Sequence, residues 1–422
     1  MPNRVPPNLG HESSVNAVPD PVRAAPPVIV PAPPRLGSID VYRGFVMFLM
    51  MAEVLRLRSV AQALPDSAVW QSLAWLQTHV AWTGATLHDF IQPSFSFLVG
   101  VALPFSVAAR VARGTSRSWM TAQAAWRALL LILLGVFLRS TSGSSTNWTF
   151  EDTLTQIGLG YGFLFLLGFR PSREVWIALG AILAGYWAAF ALWPLPGADF
   201  DYARVGVTQG WLEANGQAGF AAHWQKNSNL AWAFDGWWMN IFPRSKPFLF
   251  NAGGYATLSF IPTLGTMILG LLAGRELRSA RDPLARLRWF ATAGAVCLAA
   301  GLALHWVGLC PIVKRIWTPS WMLASGGACL WAMGLLHWTL DDGRPRRWLT
   351  PLMVIGANSI AAYLIAHLFE SFIAKNLITH LGAGVFRVFG PAYQPLLHGA
   401  ATLLVMWLLL FWMWRRKLFL KL

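Results

Sequence analysis

The chain has 422 residues, of which 55% are hydrophobic and only 12% are charged, and it contains 24 Trp and 26 Phe. A soluble domain carries about 25% charged residues, so this composition excludes an ordinary soluble protein and indicates a polytopic membrane protein. The net charge of +15 does not indicate a nucleic-acid-binding protein, because the basic residues lie in short clusters between apolar runs. We predict an all-α bundle of transmembrane helices, with membrane lipid and no nucleic acid among its partners.

Residues 1–34 are rich in Pro, Ala and Val and lack an apolar core behind a basic start, so we interpret them as a disordered cytoplasmic tail. Residues 35–422 are the predicted transmembrane domain. About ten apolar runs in this domain approach the ~20 residues that a helix needs to cross ~30 Å of hydrocarbon. They are residues 41–57, 88–109, 121–138, 153–169, 174–193, 256–274, 289–309, 317–339, 351–372 and 398–414.

The distribution of arginine predicts the orientation of these spans, because cytoplasmic loops of membrane proteins are enriched in Lys and Arg. Alternate connections and the carboxyl-terminal tail are basic, which places both termini in the cytoplasm. The largest loop on the opposite side is then residues 194–255, which is rich in Trp and in side-chain amides. This extracytoplasmic loop is either a surface for stacking and hydrogen bonding to sugars or a lid of interfacial aromatic residues.

Ionisable residues gather at the predicted start of the second span. Just before a long apolar run the chain contains His79, His88 and Asp89, with Trp82 between them. Ionisable groups at a bilayer entrance indicate a functional site. His79 is either an acid–base or nucleophilic catalyst or an interfacial anchor. Asp89 either orients an imidazole or binds an ammonium group, or it is a carboxylate favoured by the helix dipole. We interpret His88 as a residue that starts the helix.

Other polar residues fall in or beside the spans. Asp40 and Arg43 share a helix face and can pair; Arg43 either meets a phosphate or completes a structural pair. Asn358 lies within a predicted span, where it either lines a substrate path or joins helices. We expect His367 on the same span to pack between helices. Three cysteines lack the spacing of metal ligands, so we expect buried thiols and no metal site: Cys297, Cys310 and Cys329.

Together these motifs resemble the heparan-α-glucosaminide N-acetyltransferase family of transmembrane acyltransferases, over roughly residues 35–422. The resemblance begins with Ser38-Ile-Asp40-Val-Tyr-Arg43-Gly44 and continues with the His79–Pro93 motif. Later matches are Gln156-Ile-Gly158, Pro194-Leu-Pro196-Gly197, Lys314-Arg-Ile-Trp317-Thr-Pro-Ser320 and Gly356-Ala-Asn358-Ser359. Near the end of the first span the family carries an Asn, whereas this chain reads Met51-Ala-Glu53-Val54.

The resemblance implies an enzyme that moves an acetyl group from cytoplasmic acetyl-CoA to the amine of a glucosamine-type sugar across the membrane, without a metal. It makes His79 the active histidine; Asp89, which has the family spacing, is the second catalytic candidate. The implied acceptor site comprises Trp82, Gln156, Asn251, Lys314, Trp317, Ser320, Asn358 and His367. From their positions at the cytoplasmic side, the residues that we assign to the donor site are Asp40, Arg43, Arg127 and Arg275. The family's lumenal amino-terminal domain and the span that follows it find no match here, so we expect a bacterial member in the cytoplasmic (inner) membrane. Family members can be homodimers, and the resemblance implies the same for this chain.

Two other functions stay open at this point. The first is a related enzyme that O-acylates a surface glycan, which assays with different acceptors would distinguish. The second is a sugar carrier without chemistry, which paired broken helices would favour and the concentration of polar residues around His79 disfavours.

Overall fold

The computed structural model describes residue 2 and residues 36–341 and 346–420; the predicted tail, residues 1–34, lies outside this range apart from residue 2. The contacts divide the chain into two units, residues 1–32 and residues 33–422, and the second unit contains the helices. Within the described residues it is helical, with an isolated bridge between Thr83 and Val313 in place of a sheet. Its α-helices are α1 Gly37–Met51, α2 Leu57–Ala63, α3 Ala68–Leu76, α4 Ile91–Ala112, α5 Arg117–Ser140, α6 Thr153–Leu167, α7 Ser172–Ala191, α8 Gln209–Asn215, α9 Leu230–Trp238, α10 Phe260–Leu277, α11 Pro283–Trp306, α12 Pro319–Leu340, α13 Thr350–Ala357, α14 Ser359–Leu381 and α15 Gln394–Arg415.

The helices identify a multi-pass membrane protein. In the described part of the chain, six helical segments are long and apolar enough to cross a bilayer. The pair α13 and α14, bent by 71° at a short break, makes a seventh candidate. Each of the ten predicted apolar runs coincides with a helix or with this bent pair, although α1 and α6 have only 15 residues each. The count of about ten spans and the sides of the termini stay predictions.

Helix α10 lies at the centre of the bundle and is buried along nearly all of its length. It packs closely against α4, and glycines make this possible. A Cβ atom on Gly100 would lie 1.9 Å from the carbonyl oxygen of Met267, and one on Gly270 would lie 1.9 Å from that of Phe97. Backbones this close gain dispersion contacts that lipid cannot supply, so the two glycines fix the position of α4.

The segment between α7 and α10 folds as short helices over one end of the bundle. Its buried aromatic side chains pack against the Trp82 loop and the segment before α12. Trp82 is 1% exposed, and its indole nitrogen donates to the carbonyl of Trp224 at 3.1 Å. This loop therefore anchors the residues on either side of Trp82, including the predicted catalytic histidine.

We expect Gly100→Leu to prevent the close packing of α4 on α10, because the new side chain meets backbone that cannot move aside. The thermal unfolding temperature in detergent should fall sharply, or the monodisperse protein should be lost. Gly162→Leu is the matched control, since a Cβ atom there meets open space. Equal thermal stability of the two variants would contradict the role assigned to this contact.

Candidate functional site

One face of α4 lines two neighbouring cavities in series. Gln92 lies at one end of this face and Arg110 at the other, and the intervening lining residues recur every three or four positions. At a rise of 1.5 Å per residue the face is about 27 Å long, close to the ~30 Å thickness of the hydrocarbon core. Phe95, Thr153 and Tyr363 line both cavities. The two cavities therefore adjoin along α4, where they share these three lining residues.

The first cavity, which we call the histidine cavity, has a volume of about 500 Å³ and is lined by His79. The ring Nδ1 of His79 lies 2.7 Å from Oδ1 of Asp89. A contact this short between a ring nitrogen and a carboxylate needs a proton between them, so His79 donates through Nδ1. Its Nε2 is then left unprotonated in the neutral ring, as a general base or nucleophile requires.

The carboxylate of Asp89 is held by the turn in which it lies. Asp89 is 1% exposed, and its Oδ2 accepts the main-chain N–H of Thr86 at 3.0 Å in a capping box. The turn begins the span Leu87–Ala112, so the same hydrogen bonds that start the helix orient the carboxylate. The start of the helix and the His79–Asp89 pair are therefore one structural unit.

Lys314 completes this group from a distant part of the chain. Its Nζ lies 3.1 Å from Oδ1 of Asp89 and 3.3 Å from Nδ1 of His79, and the side chain is 6% exposed. Burial lowers the pKa of His79, and the charge of Lys314 lowers it further, against the opposing effect of Asp89. Burial also lowers the pKa of Lys314, and Asp89 opposes that shift. These effects favour the neutral imidazole at neutral pH.

The loops carrying His79 and Lys314 are tied together through their backbones. Gly84 donates its N–H to the carbonyl of Ile312 at 3.0 Å, beside the bridge between Thr83 and Val313. Arg315 adds a hydrogen bond to the carbonyl of Val80 at 3.0 Å. Residues more than two hundred positions apart are thereby held in one site.

Two residues that the sequence analysis did not assign to the site face the same cavity. His88 places Nε2 2.9 Å from Oε1 of Glu53, and its ring centre lies 4.7 Å from that of His79. His88, interpreted above only as a residue starting the helix, thus pairs with Glu53. In the sequence, only the mismatch at Glu53, where the family carries an Asn, draws attention to this position. His367 also lines the cavity and stacks on Tyr363, with ring centres 4.1 Å apart.

The second cavity, which we call the arginine cavity, has a volume of about 660 Å³ and lies farther along α4. Arg43 and Arg127 line it, as does Arg110, which belongs to one of the basic connections between spans. The guanidinium of Arg127 lies over the ring of Tyr161, 4.9 Å from its centre. Asp40 pairs with Arg43 at 3.6 Å, as their spacing predicts. Arginines and apolar side chains together suit a ligand with an anionic end and an uncharged arm.

The carboxyl-terminal segment forms part of the wall of the arginine cavity. Asn358, at the break between α13 and α14, donates to the carbonyl of Leu418 at 2.8 Å and accepts the N–H of Leu420 at 3.1 Å. Phe419 and Leu420 line the cavity. Asn358 therefore binds the tail, an arrangement that neither of its two interpretations from sequence describes.

The other predicted site residues hold the protein scaffold together. Gln156 donates to the carbonyls of Phe150 and Thr257, and Asn251 accepts the N–H of Gly253 at 2.8 Å. The indole of Trp317 donates to the hydroxyl of Thr266, and the hydroxyl of Ser320 donates to the carbonyl of Pro311. Arg275 donates to three main-chain carbonyls, those of Leu167, Gly168 and Arg170. With the buried Trp82, these residues support the loops and helix ends around the cavities.

Comparison with known proteins agrees with the sequence motifs. Human heparan-α-glucosaminide N-acetyltransferase is 23% identical over 401 residues, which cover 86% of this chain and 57% of the human protein. The mouse protein of the same name is 27% identical over 104 residues, covering 25% of this chain and 14% of the mouse protein. No family model matches the chain. The chain is related at the family level to heparan-α-glucosaminide N-acetyltransferase.

This relationship confirms the resemblance read from the motifs. The match to the human heparan-α-glucosaminide N-acetyltransferase runs through most of the chain, whereas the chain spans only about half of the human protein's length. The relatives' activity and substrates are therefore matters of proposal for this chain.

We expect Lys314→Met to raise the pKa of His79, because the substitution removes a neighbouring positive charge. The imidazole would then protonate at higher pH, and the acid limb of any reaction requiring neutral His79 would move to higher pH. NMR titration of the histidine ring measures the shift directly. Lys246→Met, at an exposed loop position, is the control. An unchanged titration of His79 would show that Lys314 does not set its protonation.

Proposed function

We propose that the protein is a transmembrane acetyltransferase that moves an acetyl group from acetyl-CoA to the amine of a glucosamine-type sugar. The observation that carries this proposal is the pair of adjoining cavities along α4, one lined by arginines and the other by His79, which pairs with Asp89. The family relationship supports the reaction class. The proposed setting is the bacterial cytoplasmic membrane, with the histidine cavity on the extracytoplasmic side, and a homodimer stays part of the proposal.

The donor would bind in the arginine cavity. Arg43, Arg110 and Arg127 suit the phosphate groups of CoA, because guanidinium groups bind phosphate oxygens through paired hydrogen bonds. The apolar residues of α4 would then surround the pantetheine arm. The thioester would lie near Phe95, where the two cavities adjoin. A donor bound this way reaches the histidine cavity without an opening of the whole bundle.

The chemistry would take place beside His79. Its neutral Nε2 removes a proton from the acceptor ammonium or from the attacking nitrogen, while Asp89 stabilises the imidazolium that forms. The nitrogen lone pair attacks the thioester carbonyl; a C–N bond forms, the C–S bond breaks, and the sulfur takes up a proton. The same geometry admits a two-step route through an acetylated His79 ring nitrogen. Both routes need the Asp89 contact that fixes the proton on Nδ1.

We expect His79→Ala to reduce transfer of labelled acetyl from acetyl-CoA to glucosamine by about 10²-fold or more, the range for loss of a positioned acid–base group. Binding of CoA should remain, since His79 lies outside the arginine cavity. His398→Ala is a matched control, because that imidazole donates through Nε2 to the carbonyl of Ala374 on the helix scaffold and lines neither cavity. If acetyl transfer were unaffected by His79→Ala, His79 would have no role in the chemistry.

We expect Arg127→Gln to weaken CoA binding by roughly tenfold to a hundredfold, the effect of losing a charge-assisted hydrogen bond. Titration calorimetry on the detergent-purified protein measures this change. Arg117→Gln, which removes a guanidinium lying over the ring of Phe169, is the control. Absence of CoA binding by the wild-type protein would favour a sugar carrier, and CoA binding with transfer only to hydroxyl groups would favour the O-acyltransferase.

A further inference from the structure

The charge of the histidine cavity is set mainly by carboxylates. Among the described residues lining it, four are acidic and two are Lys or Arg. One of the cations, Lys314, already pairs with Asp89. Arg139 lies within electrostatic range of Glu151, and Arg56 lies within range of Glu370. The acidic lining residues are Glu53, Glu151, Asp152 and Glu370.

Glu53 is the carboxylate best placed to meet a ligand. One of its oxygens pairs with Nε2 of His88, a ring that is 7% exposed and is itself beside His79. The buried ring fixes the orientation of the carboxylate, whose side chain is 55% exposed at the cavity. An oriented carboxylate next to the proposed base is where the ammonium of an amine acceptor would bind.

A second, independent observation comes from Glu151. Its Oε2 is shielded from solvent and has no hydrogen-bond partner within the described residues, although the side chain lines the cavity. A buried acceptor atom without a donor is costly, so it points to a donor supplied by a ligand or by water. Burial raises the pKa of Glu151, and a cationic donor beside it would favour its ionised form.

We propose that Glu53, oriented by His88, binds the acceptor's ammonium group, and that the surrounding carboxylates make this enzyme selective for a cationic, unsulfated amino sugar. The inference rests on the proposed function, which it narrows to one chemical class of acceptor. Sulfated or carboxylated glycans would meet Glu53 and Glu370 at close range and bind poorly, because like charges repel strongly in a partly buried cavity.

The test compares binding and transfer for two probes, glucosamine and glucosamine 6-sulfate, on the full-length protein in detergent. We expect the wild type to bind glucosamine at least tenfold more tightly than its sulfate. Glu53→Gln should weaken glucosamine binding and raise its KM by about tenfold, with a smaller change in kcat. Glu213→Gln, an exposed carboxamide substitution on α8, should change neither.

A charge-reversing substitution keeps the test informative if a variant loses glucosamine binding only because it misfolds. Glu370→Lys should lower the preference for glucosamine over glucosamine 6-sulfate, a change that general misfolding would not produce. Thermal stability and CoA binding report on the fold of each variant. Equal binding of both probes by the wild type, or glucosamine binding unaffected by Glu53→Gln, would overturn the inference.

The binding measurement separates this inference from the proposed reaction. Glucosamine binding that depends on Glu53, without acetyl transfer from acetyl-CoA, would support the ammonium site and contradict the acetyltransferase. Acetyl transfer to glucosamine and its sulfate at equal rates, with equal affinities, would support the acetyltransferase and overturn the ammonium site.

Discussion

The backbone contact between α4 and α10 is the constraint on which the proposed site depends. Gly100 and Gly270 let the two helices approach so closely that a single Cβ atom on either would overlap a carbonyl oxygen. In a membrane, helices gain little from excluding lipid, so packing of this kind holds them in register. One face of α4 lines both cavities. The position of this helix therefore fixes where the arginine cavity lies relative to the histidine cavity.

The second organising feature is the buried ion pair between Asp89 and Lys314. Burying two charges is costly, and their attraction offsets that cost only when the remaining hydrogen-bonding atoms also find partners. Here Thr86 occupies the other carboxylate oxygen, and His79 shares the first. The ion pair therefore has a functional consequence as well as a structural one: it keeps Asp89 oriented while the lysine charge disfavours protonation of His79.

The arginine cavity and the histidine cavity differ in charge, as do the ligands proposed for them. Arginines face the cavity assigned to an anionic donor, whereas carboxylates predominate in the cavity assigned to an amine acceptor. Phe95 and Tyr363 line both cavities, so the two sets of charged residues lie apart along one helix face. In the proposed function, this arrangement would present both reactants to a single imidazole.

The sequence by itself determined the membrane class and the positions of the ten helical regions, because hydropathy carries that information. It placed His79 and Asp89 near each other along the chain, whereas the structure decided that they pair. The sequence also determined the Asp40–Arg43 pair, which lies within one helix turn. Only the tertiary structure decided that Lys314 and Glu53 join His79, that Arg110 shares a cavity with Arg43, and that Trp82, Gln156 and Trp317 support the scaffold. These outcomes depend on which helix faces meet, and on backbone contacts between distant loops, so no local pattern in the chain reveals them.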